Sequence, residues 1–190
     1  MNAHGEIGRG VTIASFFYFV AALAMADCCA AEKNQTDTMQ LTSAAFAEGA
    51  AIPAKYTCDE KNVSPPLKWN AVPPATKSLV LIADDPDAPV GTWVHWVLFD
   101  LPAGTSELQE DQPKTQYLPG GAKQGLNDFR TLGYGGPCPP PGKPHRYFFK
   151  LYALNTQLEL KAGARKKDVE HAMANHILAQ TQLMGTYKRK

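Results

Sequence analysis

The sequence has almost no excess charge of either sign: 19 Lys and Arg face 18 Asp and Glu in 190 residues, a balance of +1. No run of five basic residues occurs, so the electrostatic footprint of a nucleic-acid binder is missing. Also missing are G-x-S-x-G, H-E-x-x-H and paired C-x-x-C motifs, and with them the local signatures of a hydrolase nucleophile elbow, a zinc protease and a structural zinc site. There is no internal repeat and no low-complexity tract, which excludes a solenoid. Disorder is excluded in turn, because 44% of the residues are hydrophobic and the chain carries three Trp. What remains at this length is one globular domain.

The strongest hydrophobic run is short. Val11–Ala26 is uncharged over 16 residues, below the roughly 20 that a membrane-crossing helix needs. Arg9 precedes it, and Ala24-Met-Ala26 matches an A-x-A cleavage pattern. Residues 1–26 therefore read as a secretory signal peptide, with an uncleaved leader anchoring the protein to the membrane as the alternative. Asp27 stands directly before Cys28 and argues against lipid attachment there. Residues 27–39 are polar and aperiodic, a linker, and the domain occupies residues 40–190. Export places the protein in a periplasmic or secreted, oxidising compartment, which makes Cys58 and Cys138 disulfide candidates. Two separate buried thiols are the alternative. A bridge would stabilise the fold by roughly 4 kcal/mol through the long loop it closes.

All 15 prolines lie between Pro53 and Pro144, a distribution that forbids long helices there and leaves a β-rich stretch. Ser78–Ala83 is a continuous aliphatic run, the pattern of a strand buried on both faces, and it ends in Asp84-Asp85. Trp93–Asp100 is a second strand, whose period of two groups Trp93, His95, Val97 and Phe99 on one face. In a third, His145–Leu154, His145, Tyr147, Phe149, Leu151 and Ala153 share a face and Arg146 and Lys150 lie opposite. Val169, Ala172, Met173, His176 and Ile177 follow helical spacing and predict an amphipathic helix over residues 165–180, capped by Gly163. Leu183–Tyr187 predicts a last short strand. His171 and His176 read as surface or core-edge residues.

Chemistry is concentrated in a few places. Asp85-Pro-Asp-Ala-Pro89 follows a buried strand, and its two prolines stiffen the turn that carries both acids. Gly133-Tyr-Gly-Gly-Pro-Cys-Pro-Pro-Pro-Gly142 is a rigid loop leading to His145, with glycines that permit close backbone approach. Two histidines, two aspartates and this loop can share one pocket. Imidazoles and free backbone N–H groups suit an anion, since His gains positive charge near neutral pH, and the aspartates would orient the rings. Taken singly, a strand His is a satisfied core residue and an Asp-Pro step is a turn.

Together, Asp85-Pro-Asp-Ala-Pro89, Trp93-Val-His-Trp96 and Gly133–Tyr147 resemble the two signature regions of the phosphatidylethanolamine-binding protein family, in its bacterial Raf kinase inhibitor-like branch. Asn62-Val-Ser-Pro-Pro-Leu-Lys-Trp69, Asn127-Asp-Phe129 and Gly185-Thr-Tyr187 extend the likeness over residues 40–187. The resemblance implies a mostly β fold, a β-sandwich on a large central antiparallel sheet with one or two peripheral helices near the C-terminus. It implies a ligand-binding pocket built from Asp85, Asp87, Ala88, Pro89, Trp93 and His95, and from Gly135, Gly136, Pro139, His145 and Tyr147. Departures from the family pattern are the short Val90-Gly-Thr92 segment, with loss of rim contacts, and Glu60 and Arg130 in place of glycines.

The function it implies is binding of small anions or phospholipid headgroups; together with the leader, this gives an expected exported binding protein, with regulation of a protein partner as a further expectation. The alternative is a protease or kinase inhibitor, with a protease the better target for an exported domain. An enzyme is not expected; the weakest reading is a hydrolase using His95 or His145 as general base. No cofactor or metal is expected. A zinc ion held by both histidines and an Asp is the metal alternative, without diagnostic spacing. The expected partners are a phosphate-bearing small molecule or lipid headgroup and a protein target, not nucleic acid.

Overall fold

A computed structural model of the chain describes residues 38–189; the leader and most of the linker lie outside them. The strands are β1 (Gln40–Thr42), β2 (Leu67–Asn70), β3 (Ser78–Asp85), β4 (Trp93–Pro102), β5 (Glu107–Leu108), β6 (Lys123–Gln124), β7 (His145–Leu154) and β8 (Ile177–Tyr187). One 3-10 turn, Ala54–Tyr56, precedes β2, and one helix, α1 (Lys166–Met173), precedes β8. The pairing is antiparallel in two sheets, a small one ordered β1-β2-β5 and a large one ordered β6-β4-β3-β7-β8.

β3 is central in the large sheet, which is why all eight of its residues are buried and why it reads as an unbroken apolar run. Its odd-numbered side chains, Leu79, Leu81 and Ala83, meet Leu41, Leu67, Trp69 and Leu108 of the small sheet in one core. Its even-numbered ones, Val80 and Ile82, meet Leu158, Val169 and Met173 on the far side, where α1 covers the sheet. The result is a β-sandwich with one helix on its back.

β7 keeps the predicted alternation: Tyr147, Phe149, Leu151 and Ala153 enter the inter-sheet core. Lys150, on the opposite face, reaches Asp84 at 2.9 Å, and Lys166 of α1 reaches the same carboxylate at 2.6 Å. Asp84 is almost wholly buried, and these two ammonium groups are what make its charge tolerable there. Burial opposes the charge on Lys166, but its hydrogen bond to Asp84 prevails and raises its pKa.

Two expectations are corrected at the C-terminus. The helix does not run to residue 180 but ends at Met173, and the last strand begins at Ile177 instead of Leu183. Only Val169 and Met173 of the helix find core to bury. Beyond them the chain turns through His176, which accepts from the Asn155 N–H at its carbonyl and pairs with the Asn155 side chain at its ring. From Ile177 the backbone groups are satisfied along β7, which a solvated helix end cannot match. Gly163 does not cap α1. The N-cap is Arg165, whose N–H donates to Asp168 at 3.1 Å, and Gly163 turns the chain ahead of it at φ 87°.

A candidate anion pocket at the end of the sandwich

Asp85 is the last residue of β3. One of its oxygens accepts the Asp87 N–H at 2.8 Å, an Asx turn, and the other accepts Nδ1–H of His145 at 2.8 Å. The Pro86–Pro89 turn thereby folds back over the strand end and the carboxylate is fixed at both oxygens. Asp87 goes elsewhere. It receives two hydrogen bonds from the Arg146 guanidinium, at 2.8 and 2.7 Å, and one from the Arg146 backbone. The guanidinium holds its pKa down at about 2. Asp87 is therefore a staple between the turn and β7, and the expectation that it orients an imidazole is corrected.

His95 sits where β4 departs from regular pairing. Ala83 faces Trp96 but Asp84 faces Val94, so His95 is the extra residue of a β-bulge. The bulge shifts the phase of the strand. Val94 and Val97 both enter the helix-side core although their parities differ, and Trp96 enters the other. His95 does share its surroundings with Trp93, both rings standing edge-on to Phe129 at 5.4 Å. Its predicted grouping with Val97 and Phe99 fails, because a strict period of two cannot pass through a bulge.

Nδ1 of His95 lies 2.6 Å from the Gly135 carbonyl, and the Gly135 N–H donates to the His95 carbonyl at 2.9 Å. A carbonyl only accepts, so Nδ1 carries the proton and Nε2 is left as the open ring position. Burial lowers the His95 pKa below its usual 6.5, against the opposing pull of the Gly135 carbonyl and the Asp85 charge. The ring is held by Tyr147 from behind, edge-on at 5.2 Å. The Tyr147 hydroxyl is buried without a hydrogen-bond partner. Burial, followed by the Asp85 charge, raises its pKa well above the tyrosine norm.

The Gly/Pro loop is tied down residue by residue. Tyr134 donates its hydroxyl proton to the Tyr56 carbonyl at 2.8 Å, Gly136 N–H donates to the Asn62 side chain at 2.6 Å, and Cys58 N–H donates to the Pro137 carbonyl at 3.1 Å. Cys58 and Cys138 are joined by a disulfide, with Cα atoms 5.4 Å apart. Both glycine N–H groups are thus committed within the protein, which corrects the expectation that they serve a ligand. The glycines have a steric role instead. A Cβ on Gly135 would stand 2.5 Å from the Phe129 ring, and one on Gly136 would collide with the Tyr56 carbonyl.

These elements enclose a cavity of about 220 Å³. His95, His145 and Asp85 line it, with Ala88, Pro89, Trp93 and Pro139 among its walls. Of the expected pocket residues, Asp87, Gly135, Gly136 and Tyr147 stand behind the wall. Phe129, Val90, Cys138 and Pro140 also line it, beyond the residues the family resemblance implies. Val90 is contributed by the shortened Val90–Thr92 segment, so that segment retains one rim contact. Among the described residues no three His, Cys, Asp or Glu side chains converge to hold a metal ion.

The sequence profile of the family described as phosphatidylethanolamine-binding protein matches residues 42–188, nearly all of the described domain. The chain belongs to that family. Its curated relatives include a UPF0098 protein of Methanothermobacter thermautotrophicus, 53% identical over 80% of this chain and 99% of the relative. Another, from Aquifex aeolicus, is 54% identical over 80% of this chain and 89% of its own. Among solved structures, the chain is similar to a phosphatidylethanolamine-binding protein homologue, CT736 of Chlamydia trachomatis, with a TM-score of 0.74 and 43% identity over 80% of this chain and 99% of that one. It is similar also to YbcL of Escherichia coli, described as a new member of the mammalian family, with a TM-score of 0.75 and 34% identity over 80% of this chain and 99% of that one. Family membership accounts for the mostly β architecture with its large antiparallel sheet. Within the family frame, this chain holds Arg130 at φ 64°, a left-handed conformation that glycine adopts more readily.

Proposed function

We propose that the protein is an exported binder of small anions, phosphoryl groups foremost, such as those of phospholipid headgroups, and that it regulates a protein partner through the occupancy of this cavity. The observation that carries the reading is the pairing of His95 and His145 in one small cavity with both Nδ1 atoms committed, to Gly135 and to Asp85. Each ring then has one nitrogen left for a ligand, and an imidazolium Nε2–H is a donor to phosphate. The Pro-stiffened turn and the bonded loop support the reading, because a site that does not reorganise binds without an ordering cost. Export is supported by the Val11–Ala26 run and by the Cys58–Cys138 bridge, which persists in an oxidising compartment. The role is binding, with no reaction assigned.

Isothermal titration with phosphoethanolamine tests this. The wild-type protein should bind, and His145→Ala should weaken binding by about tenfold or more, as expected for losing a charge-assisted hydrogen bond. Equal affinities in the two proteins would remove the cavity from the function.

A further inference from the structure

The anion cavity shares a wall with a second one. A groove of about 690 Å³ lies alongside it, with Leu132, Tyr134 and the Cys58–Cys138 disulfide among its lining residues. Phe129 and Cys138 line both spaces. Phe129 is 39% exposed, a large apolar side chain standing between the cavity that holds both histidines and a groove that holds neither, whose lining also includes Asn62, Lys114 and Thr131.

The ring is fixed, not swinging. Trp93 and His95 hold it edge-on from one side, and the missing Cβ of Gly135 gives it a seat that no other residue would leave open. The turn that presents it is pinned at both ends. Asn127 exchanges hydrogen bonds with Thr131 at 3.0 Å and donates from its amide to Gly133 at 2.9 Å. Asp128 exchanges them with the Val94 backbone at 2.7 and 3.0 Å. With five such bonds among five residues, the turn does not yield without breaking several together.

We propose that Phe129 is a specificity-determining partition, which confines ligands of the histidine cavity to compact phosphoryl compounds and separates them from a groove wide enough for an aromatic substituent. The inference rests on the anion-binding reading above. A ligand anchored by its phosphate between His95 and His145 meets the Phe129 ring when its substituent points toward the groove. A small substituent stays within the first cavity, and a bulky one must remain in solvent. Shortening the side chain joins the two spaces and lets the substituent bury against Leu132 and Tyr134.

The test compares inorganic phosphate with 1-naphthyl phosphate, by calorimetric titration of the purified wild type, Phe129→Ala and Phe129→Leu. The readout is the ratio of the two affinities within each protein. The wild type should favour inorganic phosphate, and the ratio should shift toward naphthyl phosphate by about tenfold or more in Phe129→Ala, the discrimination that apolar pocket contacts provide. Phe129→Leu should shift it less. A wild type that takes both ligands equally, or variants whose ratio does not move, would overturn the partition and leave the anion site standing. If Phe129→Ala binds neither ligand because Trp93 and His95 lose their packing, Phe129→Leu, which keeps apolar bulk there, decides on the same ratio. A wild type that binds no phosphate sinks the anion reading and this inference with it.

Discussion

Replacing Cys58 and Cys138 together by Ala should lower the stability of the protein by roughly 4 kcal/mol, the chain-entropy value for a loop of this length. The bridge spans 80 residues of sequence, and within that loop lie β2 to β6, so its loss frees a long segment of the unfolded chain. It also ties the Ala54–Tyr56 turn to the Gly/Pro loop, where three backbone or side-chain hydrogen bonds run in parallel with it. Those bonds remain in the variant, so the fold and the cavity wall should persist at low denaturant while the midpoint of unfolding falls. Urea titration of the wild type under non-reducing conditions against the double variant measures this. Superimposable unfolding curves would show that the bridge contributes nothing to stability.

The second large effect is expected at Asp84, which the sequence presents only as the first of two acids closing a strand. Its carboxylate is 1% exposed, and Lys150 and Lys166 both converge on it. Asp84→Ala leaves Lys150 without this partner and Lys166 with only Glu170, at 3.5 Å, above an apolar core. Breaking a buried ion pair by removing one partner carries a penalty of about 3–5 kcal/mol, and this site should lie near 3 because both lysines keep partial access to water. The partner exposures of 30% and 18% set that discount. Chemical denaturation reads the loss. A triple variant with both lysines also replaced by Met should recover much of it, and failure of the triple variant to recover would mean that the charges are not what Asp84 contributes.

Neighbouring acids at the end of β3 thus serve two sides of one sheet. Asp84 belongs to the helix side and is structural. Asp85 belongs to the cavity side and fixes His145. The alternation of a strand assigns them to opposite faces, and that much follows from the sequence. Likewise legible were the burial of β3, the inward face of β7, and the sharing of one environment by Trp93 and His95. The first rests on an unbroken apolar run and the other two on the period of two, which holds wherever a strand stays in register.

What the sequence did not reveal depends on interactions between distant segments. The bulge at His95 has no local residue signal, so the faces of Val97 and Phe99 were inverted by extrapolating through it. The helix over residues 165–180 was overextended because His176 and Ile177 fit helical spacing. The partner that claims the backbone from Ile177 onward is β7, far away in sequence. Asp87 looked equivalent to Asp85 in the Asp85–Pro89 turn. Arg146, on the outward face of β7, decides otherwise with a two-pronged hydrogen bond. Nothing in the sequence marks Phe129 as a cavity residue, because Val94 draws it in through Asp128, a contact that exists only once β4 is placed.

His95 offers the sharpest test of the anion site. Its buried ring favours the neutral form in the free protein, and an anion beside Nε2 favours the charged form, so binding must draw in a proton. Uptake is confined to pH values between the lowered pKa of the free protein and the higher one of the complex. Affinity therefore rises as the pH falls from 8 toward 5 and levels off below the pKa of the free ring. Sulfate is the suitable probe, because its own charge is constant over that range. Calorimetric titration of sulfate from pH 8 to pH 5 should give a dissociation constant that tightens on acidification in the wild type, with a weaker dependence in His95→Gln. An affinity that is flat across the range, or that weakens as protons are added, would contradict a pocket built on these two imidazoles.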